Sequence, residues 1–241
     1  MSSQNQSNVD FRLHPLFRDM PSQPSFCPAI WGDEDAPPLD WLVEGCFIRG
    51  TVALLSSDGG LGKSLLMQQL CTAAATGQNW LGLATKRLRS WAMFCEDDEA
   101  ELHRRQVRIN AHYGCRMGDL EDVTYRTRAG HASTFVDFAK WDARPMMTEL
   151  FSSSLGAAKK FGAQLIILDT ASDIFGGNEI ARDQVRAFIT LLRRWAILAD
   201  GCVILTAHVS NEGLSSGSGL SGSRAWSNSV RSTRRTPHRI R

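Results

Sequence analysis

The chain has 241 residues, an apolar content of 43 % and a formal net charge of +2. This length holds one α/β domain with short extensions, and the apolar content is sufficient for a packed core. No apolar stretch reaches the length of a membrane span, and the polar N-terminus does not resemble a secretory signal, so no membrane association is expected. The six cysteines are scattered without a C-x-x-C pair, which favours a reducing cytoplasm over a disulfide framework or a zinc site.

The positive charge is concentrated at the C-terminal end. Residues 231–241 contain five arginines and no acidic residue, and subtracting these five charges from +2 leaves −3 for residues 1–230. A basic tail of this kind either binds nucleic acid electrostatically or is a solvated end. The composition leaves both interpretations open.

The first half of the chain predicts a loose arm followed by strand–helix units. Residues 1–38 are polar, contain prolines and show no periodicity, and a short helix or docking segment is expected over Leu39–Phe47. The elements predicted next are a strand over Thr51–Ser56, a helix from near Lys63 to Thr76 with Gly77 as its stop signal, a strand over Trp91–Cys95, a polar helix to about Tyr113 and a weak strand over Val123–Arg128.

The second half continues the alternation. The predicted elements are a helix over Met146–Phe161, a strand over Gln164–Leu168, a helix over Arg182–Asp200 and a strand over Cys202–Ala207. Apolar strands alternating with helices predict an α/β fold with a mostly parallel sheet sandwiched by helices. We therefore expect a core domain over residues 39–232, between the N-terminal arm (1–38) and the basic tail (233–241).

The segment Thr51–Gly77 carries the strongest motif, because the apolar run TVALLSS is followed by DGGLGKS and an amphipathic helix. A strand, a glycine-rich loop and a helix in this order indicate a phosphate-binding P-loop. Its glycines let backbone N–H groups surround phosphates, Lys63 would reach the β- and γ-phosphates, and the Ser64 hydroxyl would be a Mg²⁺ ligand. The usual pattern begins with glycine, and here that place is Ser57.

The loop predicts a nucleoside triphosphate as ligand together with Mg²⁺; the alternative is a glycine-rich turn with an exposed lysine. The residues expected at the phosphates are Asp58, Gly59, Gly60, Leu61, Gly62, Lys63, Ser64 and Leu65.

Three further polar residues follow predicted strands. The carboxyl ends of parallel strands meet at one edge of a sheet, where ligands bind, so Glu96, Asp169 and His208 are expected beside the P-loop. Asp169, after the apolar QLIIL, would hold Mg²⁺ opposite Ser64, and otherwise it is a helix cap. Glu96 would activate the attacking water.

Two alternatives remain open at these strand ends. Asp97 and Asp98 are rivals of Glu96 within the same acidic cluster. His208 would hydrogen-bond the γ-phosphate and report its loss to the next loop, unless it is a structural histidine.

After His208 the chain becomes glycine- and serine-rich. Residues 210–223 predict a mobile loop, either a nucleotide-dependent DNA contact or a plain linker. Arg224 and Arg231 follow as candidates for an arginine finger acting on the nucleotide of a neighbouring subunit, or as surface charges.

The motifs together resemble the RepA-type branch of RecA-like P-loop ATPases, which includes plasmid and phage replicative helicases. The resemblance covers about Pro38–Ser232 and is carried by SDGGLGKSLL, ATGQNWLG, FCEDDEAELHRR, LIILDTASDIFGGNE, VILTAHVS and SGSGLSGSRAWSNSVRS. It implies a RecA-like fold, ATP hydrolysis, hexameric rings and action on single-stranded DNA. Carried over by residue, it places the phosphate lysine on Lys63, the Mg²⁺ ligands on Ser64 and Asp169, the catalytic glutamate on Glu96, the sensor histidine on His208 and the finger on Arg231.

The chain departs from this family after NSVRS. The family continues there into an apolar strand, whereas here TRRTPHRIR follows with one aliphatic residue, Ile240. We expect that the tail supplies no buried strand and that the product is truncated, frame-shifted or divergent, which places ring formation in question. Two alternative functions stay open: a recombinase-like or regulatory DNA-dependent ATPase without unwinding, and a non-catalytic nucleotide-gated DNA-binding module.

Overall fold

The structure is a computed structural model that describes residues 20, 22, 24–138, 144–208, 226, 230 and 232–235, the last four through their backbone. The strands are β1 (Trp41–Val43), β2 (Phe47–Ile48), β3 (Thr51–Ser57), β4 (Ser90–Phe94), β5 (Val123–Thr127), β6 (Val136–Phe138), β7 (Pro145–Met147), β8 (Leu165–Asp169), β9 (Phe175–Gly176), β10 (Cys202–His208) and β11 (Ser232–Arg235). The helices are α1 (Lys63–Thr76), α2 (Glu99–Tyr113), α3 (Glu149–Phe161), α4 (Ala171–Ile174) and α5 (Arg182–Leu198). Within these ranges, no helix combines the length and apolar character that a bilayer crossing requires.

Six parallel strands form the central sheet in the order β11-β3-β10-β8-β4-β5. The four middle strands are buried on both faces, as their uninterrupted apolar sequences require. Along β3, Val52 and Leu54 pack into one core, whereas Ala53 and Leu55 pack into the other. The side-chain period of two therefore supplies both hydrophobic layers from a single strand.

The two cores lie on opposite faces of the sheet. One contains α1, α2 and the hairpin formed by β1 and β2. The other contains α3, α5 and a small sheet in the order β7-β6-β9. Trp195 of α5 is 1 % exposed and contacts the rings of Trp91, Phe135 and Phe151. This aromatic cluster anchors the second layer to the sheet.

The predicted α/β fold is confirmed, and most elements begin and end within two residues of their predicted bounds. The α1 helix ends as predicted at Gly77, which has a φ of +68° and caps the last turn through its backbone N–H. One helix starts later than predicted, because Met146 and Met147 pair in β7 and Thr148 caps α3 by accepting from the Phe151 N–H at 3.2 Å.

Of the two alternatives predicted for Leu39–Phe47, a short helix or a docking segment, the helix is wrong. Leu39–Phe47 contains no helix: Gly45, with a φ of +68°, lies in the turn of the β1–β2 hairpin, and the apolar anchors dock as strand residues. The tail was expected to supply no buried strand, and Ser232–Arg235 forms an edge strand that pairs with Ala53–Ser56 of β3. An edge strand is held by backbone hydrogen bonds and needs no apolar side chains. The predicted boundary between residues 232 and 233 therefore falls inside a strand.

Candidate active site

The P-loop joins β3 to α1 at the carboxyl edge of the sheet. Gly60 and Gly62 have φ values of +72° and +80°, a backbone conformation that favours glycine. Gly62 directly precedes α1 and provides no side-chain cap, so the first N–H groups of a 14-residue helix point into the loop. Uncapped N–H groups and the helix dipole attract an anion at this position. The loop therefore has the form of a phosphate cradle.

Lys63 begins α1 and is 5 % exposed. Its Nζ lies 3.2 Å from both the backbone oxygen and Oγ of Ser57 and 3.1 Å from the backbone oxygen of Asp58. Burial lowers the pKa of Lys63, and the negative charges of Asp169, Glu96 and Asp58 oppose that shift. The ammonium group is therefore buried against neutral oxygens and is poorly compensated in the absence of an anion.

Ser57, which replaces the usual first glycine, is 3 % exposed and is one of the acceptors of Lys63. The substitution is therefore accommodated by turning the side chain toward the lysine, where its hydroxyl adds an acceptor.

His208 connects Lys63 with Glu96. Its Nδ1 lies 3.2 Å from the Lys63 Nζ, and its Nε2 lies 3.5 Å from Oε1 of Glu96. A protonated lysine only donates, so Nδ1 accepts and a neutral His208 carries its hydrogen on Nε2, facing the carboxylate. The three side chains form one continuous line of polar contacts across the cleft.

Asp169 ends β8 and is 3 % exposed. Burial raises the pKa of Asp169, while hydrogen bonds from the hydroxyls of Ser64 and Thr206 oppose the shift. The Ser64 hydroxyl and the Asp169 carboxylate thus lie together beside the loop. Hard oxygen ligands of this kind suit Mg²⁺, which takes its remaining ligands from water and phosphate. Among the described residues no cluster of three His, Cys, Asp or Glu side chains forms a metal site, so a cation here would depend on those other ligands.

Three acidic residues that follow β4 make three different kinds of contact. Asp97 makes a bidentate ion pair with Arg105, with N–O distances of 2.6 and 2.9 Å. Asp98 caps α2 by accepting from the backbone N–H of Glu101 at 2.7 Å. Glu96 is left 59 % exposed and faces His208. The two rivals of Glu96 are therefore occupied by structural contacts.

Two residues of the site were not singled out in the sequence: Arg105, which lines the cleft, and Thr206, which is buried behind Asp169. Arg105 lines the same cleft as Lys63 and Asp169, while Thr206 donates to Asp169 from the neighbouring strand. Arg105 lies four residues after Glu101 on α2, and this helical spacing is a signal for the ion pair between them. The alternation along β10 could have placed Thr206 beside His208 on the same face.

The predicted residues meet in one cleft at the carboxyl ends of four neighbouring strands, β3, β10, β8 and β4. Its lining comprises Gly60, Gly62, Lys63, Ser64, Leu65, Glu96, Asp97, Arg105, Asp169, Thr170 and His208. Asp58 contributes a backbone acceptor to Lys63, and a Cβ on Gly59 would lie 3.8 Å from Nδ1 of His208. Leu61 lies in the loop between Gly60 and Gly62. Arg224, Arg231 and the predicted loop 210–223 lie outside the described residues.

The comparisons with known proteins concern most of the chain. Residues 19–213 match a family described as an AAA domain. No curated protein sequence matches the chain. Among solved structures, a KaiC-like protein from the hyperthermophilic archaeon Pyrococcus horikoshii is similar, with 16 % sequence identity, coverage of 82 % of this chain and 76 % of that chain, and a TM-score of 0.48.

Proposed function

The chain belongs to the AAA domain family, and we propose that its P-loop cleft hydrolyses ATP with Glu96, His208, Lys63, Ser64 and Asp169. One observation carries the proposal: the line of contacts from Glu96 through His208 to Lys63 ends beside the Ser64–Asp169 pair. A buried ammonium, a histidine and a carboxylate in contact at a glycine-rich loop match the requirements of phosphoryl transfer to water.

The residues fit a nucleotide with its metal. The helix N-terminus and Lys63 supply positive charge for the phosphates, and a phosphate oxygen would replace the neutral oxygens that Lys63 now contacts. Ser64 and Asp169 would hold Mg²⁺, which neutralises charge on the phosphates when bound. Lys63, Ser64 and Asp169 line the same cleft, so the lysine and the metal ligands would act on the same phosphates.

Glu96 is the side chain we assign to water activation. It is exposed to the cleft, and the Nε2–H of His208 orients its carboxylate. Because His208 also accepts from Lys63, capture of Lys63 by phosphate removes one of the two contacts of the imidazole. His208 is thereby suited to transmit the state of the phosphates to the chain that follows it.

The coupling of hydrolysis to single-stranded DNA, in a ring of the RepA-type helicase branch, is a further proposal that rests on the sequence resemblance. In this proposal Arg231 acts on the nucleotide of the neighbouring subunit. A recombinase-like or regulatory ATPase would share the DNA stimulation but would not unwind a duplex.

Steady-state phosphate release tests the proposal, with and without an oligonucleotide. We expect hydrolysis by the wild type, stimulation by single-stranded DNA and loss of turnover in Lys63→Ala.

Size-exclusion chromatography with an ATP analogue tests whether the protein forms a ring. Hydrolysis at the wild-type rate by Lys63→Ala would contradict the site assignment, and a strict monomer would reject the finger in trans. A helicase is distinguished from an ATPase without unwinding by strand displacement from a forked duplex.

A further inference from the structure

Two arginines at the far edge of the central sheet are partly buried without a carboxylate partner, whereas the described arginines Arg108, Arg182, Arg186 and Arg193, which also pair with no carboxylate, are exposed. Arg126 lies on β5 and Arg128 follows that strand by one residue, so the two side chains share one face. Within the described part of the chain, neither guanidinium lies within ion-pair distance of a carboxylate. By contrast, carboxylates pair with Arg49, Arg87, Arg89, Arg104, Arg105 and Arg116.

The contacts that the pair does make are neutral and incomplete. Nη1 of Arg126 donates to Oγ of Ser154 at 3.0 Å and of Ser153 at 3.4 Å on α3. Nη2 of Arg128 donates to the backbone oxygen of Ala132, while its buried Nε has no acceptor in the structure. Native proteins rarely leave a buried donor unpaired, and they rarely place two cations side by side without an anion.

The local backbone holds the pair in position. The backbone N–H of Arg128 donates to the Phe94 oxygen at 2.8 Å, which ties the residue to β4. The backbone N–H of His131 donates to the Arg128 oxygen at 2.9 Å and closes a turn in which Gly130 has a φ of +75°. Both residues are partly buried, and burial and then the charge of Arg128 lower the pKa of Arg126. A rigid arrangement that holds two guanidiniums on one face, one of them with an unpaired buried Nε, suits the binding of an anion.

We propose that Arg126 and Arg128 form an anion site, distinct from the P-loop cleft, that binds a phosphate group. Two guanidiniums on one strand face present forked donors that match phosphate oxygens, and the hydroxyl oxygens of Ser153 and Ser154 hold the Arg126 guanidinium in place on the α3 side. The phosphate group is either free or part of a nucleic-acid backbone, since both have the same chemistry at this site.

The test measures thermal unfolding with increasing inorganic phosphate, with sodium chloride at equal ionic strength as reference. All proteins carry Lys63→Met, which reduces phosphate binding at the P-loop. Arg126→Gln and Arg128→Gln are compared with Arg108→Gln, which removes the same charge from an exposed position on α2. Phosphate should raise the Tm of the parent and of Arg108→Gln but not of the other two. In phosphate-free buffer, Arg126→Gln should melt at or above the parent Tm, because a repulsion is relieved.

Fluorescence anisotropy with an oligothymidylate of about 20 nucleotides distinguishes the two sources of phosphate. If the ligand is a nucleic-acid backbone, each substitution lowers the salt-dependence slope of binding by about 0.7, whereas for a free phosphate the slope equals that of Arg108→Gln. The proposal is overturned if both substitutions respond to phosphate like Arg108→Gln. It is likewise overturned if they lower the phosphate-free Tm while the phosphate response persists, because that result assigns the pair a structural role.

Discussion

Replacing Lys63 with methionine separates the charge of this residue from its packing. The aliphatic stem is retained, while the ammonium that contacts Ser57, Asp58 and His208 is lost. Burial lowers the pKa of Lys63, so the folded state releases this proton at a lower pH than the unfolded state. The charged lysine therefore lowers the free energy of unfolding at pH values below its folded-state pKa. This destabilisation disappears as pH rises toward the ordinary pKa of 10.5. We expect apo Lys63→Met to be no less stable than the wild type at neutral pH.

When nucleotide is bound, we expect the wild type to be more stable than Lys63→Met. An ATP analogue at about 100 times its Kd stabilises the wild type by about 2.7 kcal/mol, which for a chain of this size raises Tm by about 5–11 °C. Losing about 3 kcal/mol of charge-assisted hydrogen bonding weakens binding roughly 100-fold. The same analogue concentration then stabilises Lys63→Met by about 0.4 kcal/mol, or about 1 °C.

Differential scanning fluorimetry measures both effects. Lys86→Met is the matched control, because Lys86 is half-exposed, pairs with Asp40 outside the cleft and loses the same charge. The control should keep the full rise in Tm that the nucleotide causes in the wild type. A shift of 5 °C or more in Lys63→Met, about that of the wild type, would refute the role of the lysine as phosphate ligand.

The remaining predictions concern the other cleft residues and the core. Glu96→Gln should keep the nucleotide-dependent rise in Tm but lose about 10²–10⁴-fold in turnover, and full turnover in Glu96→Gln combined with loss in Asp97→Asn would move the base to Asp97. Asp169→Asn should lose Mg²⁺-dependent nucleotide stabilisation. Because burial raises the pKa of Asp169 above 3.8, its contribution to stability is fully present below that pH and lost as pH rises through the folded-state pKa. The apo Asn variant should therefore gain Tm relative to the wild type as pH rises above 3.8, and parallel pH profiles would contradict the burial argument. Trp195→Ala should cost about 3–5 kcal/mol, or about 6–20 °C in Tm, whereas a loss below about 1 kcal/mol would show that the aromatic cluster does not hold α5 to the sheet.

The fold was predictable where a segment is long and the elements next to it are close in sequence. The strand β3, its glycine loop and α1 follow from period and glycine placement alone, and the apolar strands β8 and β10 follow from their uninterrupted hydrophobic sequences. The strand ends then placed Glu96, Asp169 and His208 on one edge, because parallel strands gather their carboxyl ends there.

The rest depends on contacts between distant segments. Strands such as β6 and β9 have two or three residues, too few to show a period, and they form because they pair with each other. The pairing of Asp97 with Arg105 was also not foreseen. A run of carboxylates does not reveal which member meets an arginine, caps a helix or faces the cleft, because the backbone geometry after β4 decides this. The β11 strand has no apolar pattern, since it is held through its backbone.

The position of β3 between β10 and β11 has a consequence for how the protein is made. The P-loop strand forms no ladder with its nearest neighbours in sequence: Thr51 pairs with Cys202, and Ala53 pairs with Ser232. At about 5–20 residues per second, a ribosome needs roughly ten to thirty seconds to synthesise the chain between Thr51 and Cys202. The pairing of β4 with β5 becomes available much earlier, since Ser90 and Val123 are close in sequence. We therefore expect the nascent chain to expose its glycine loop for several seconds before β10 is available to pair with the strand that carries it.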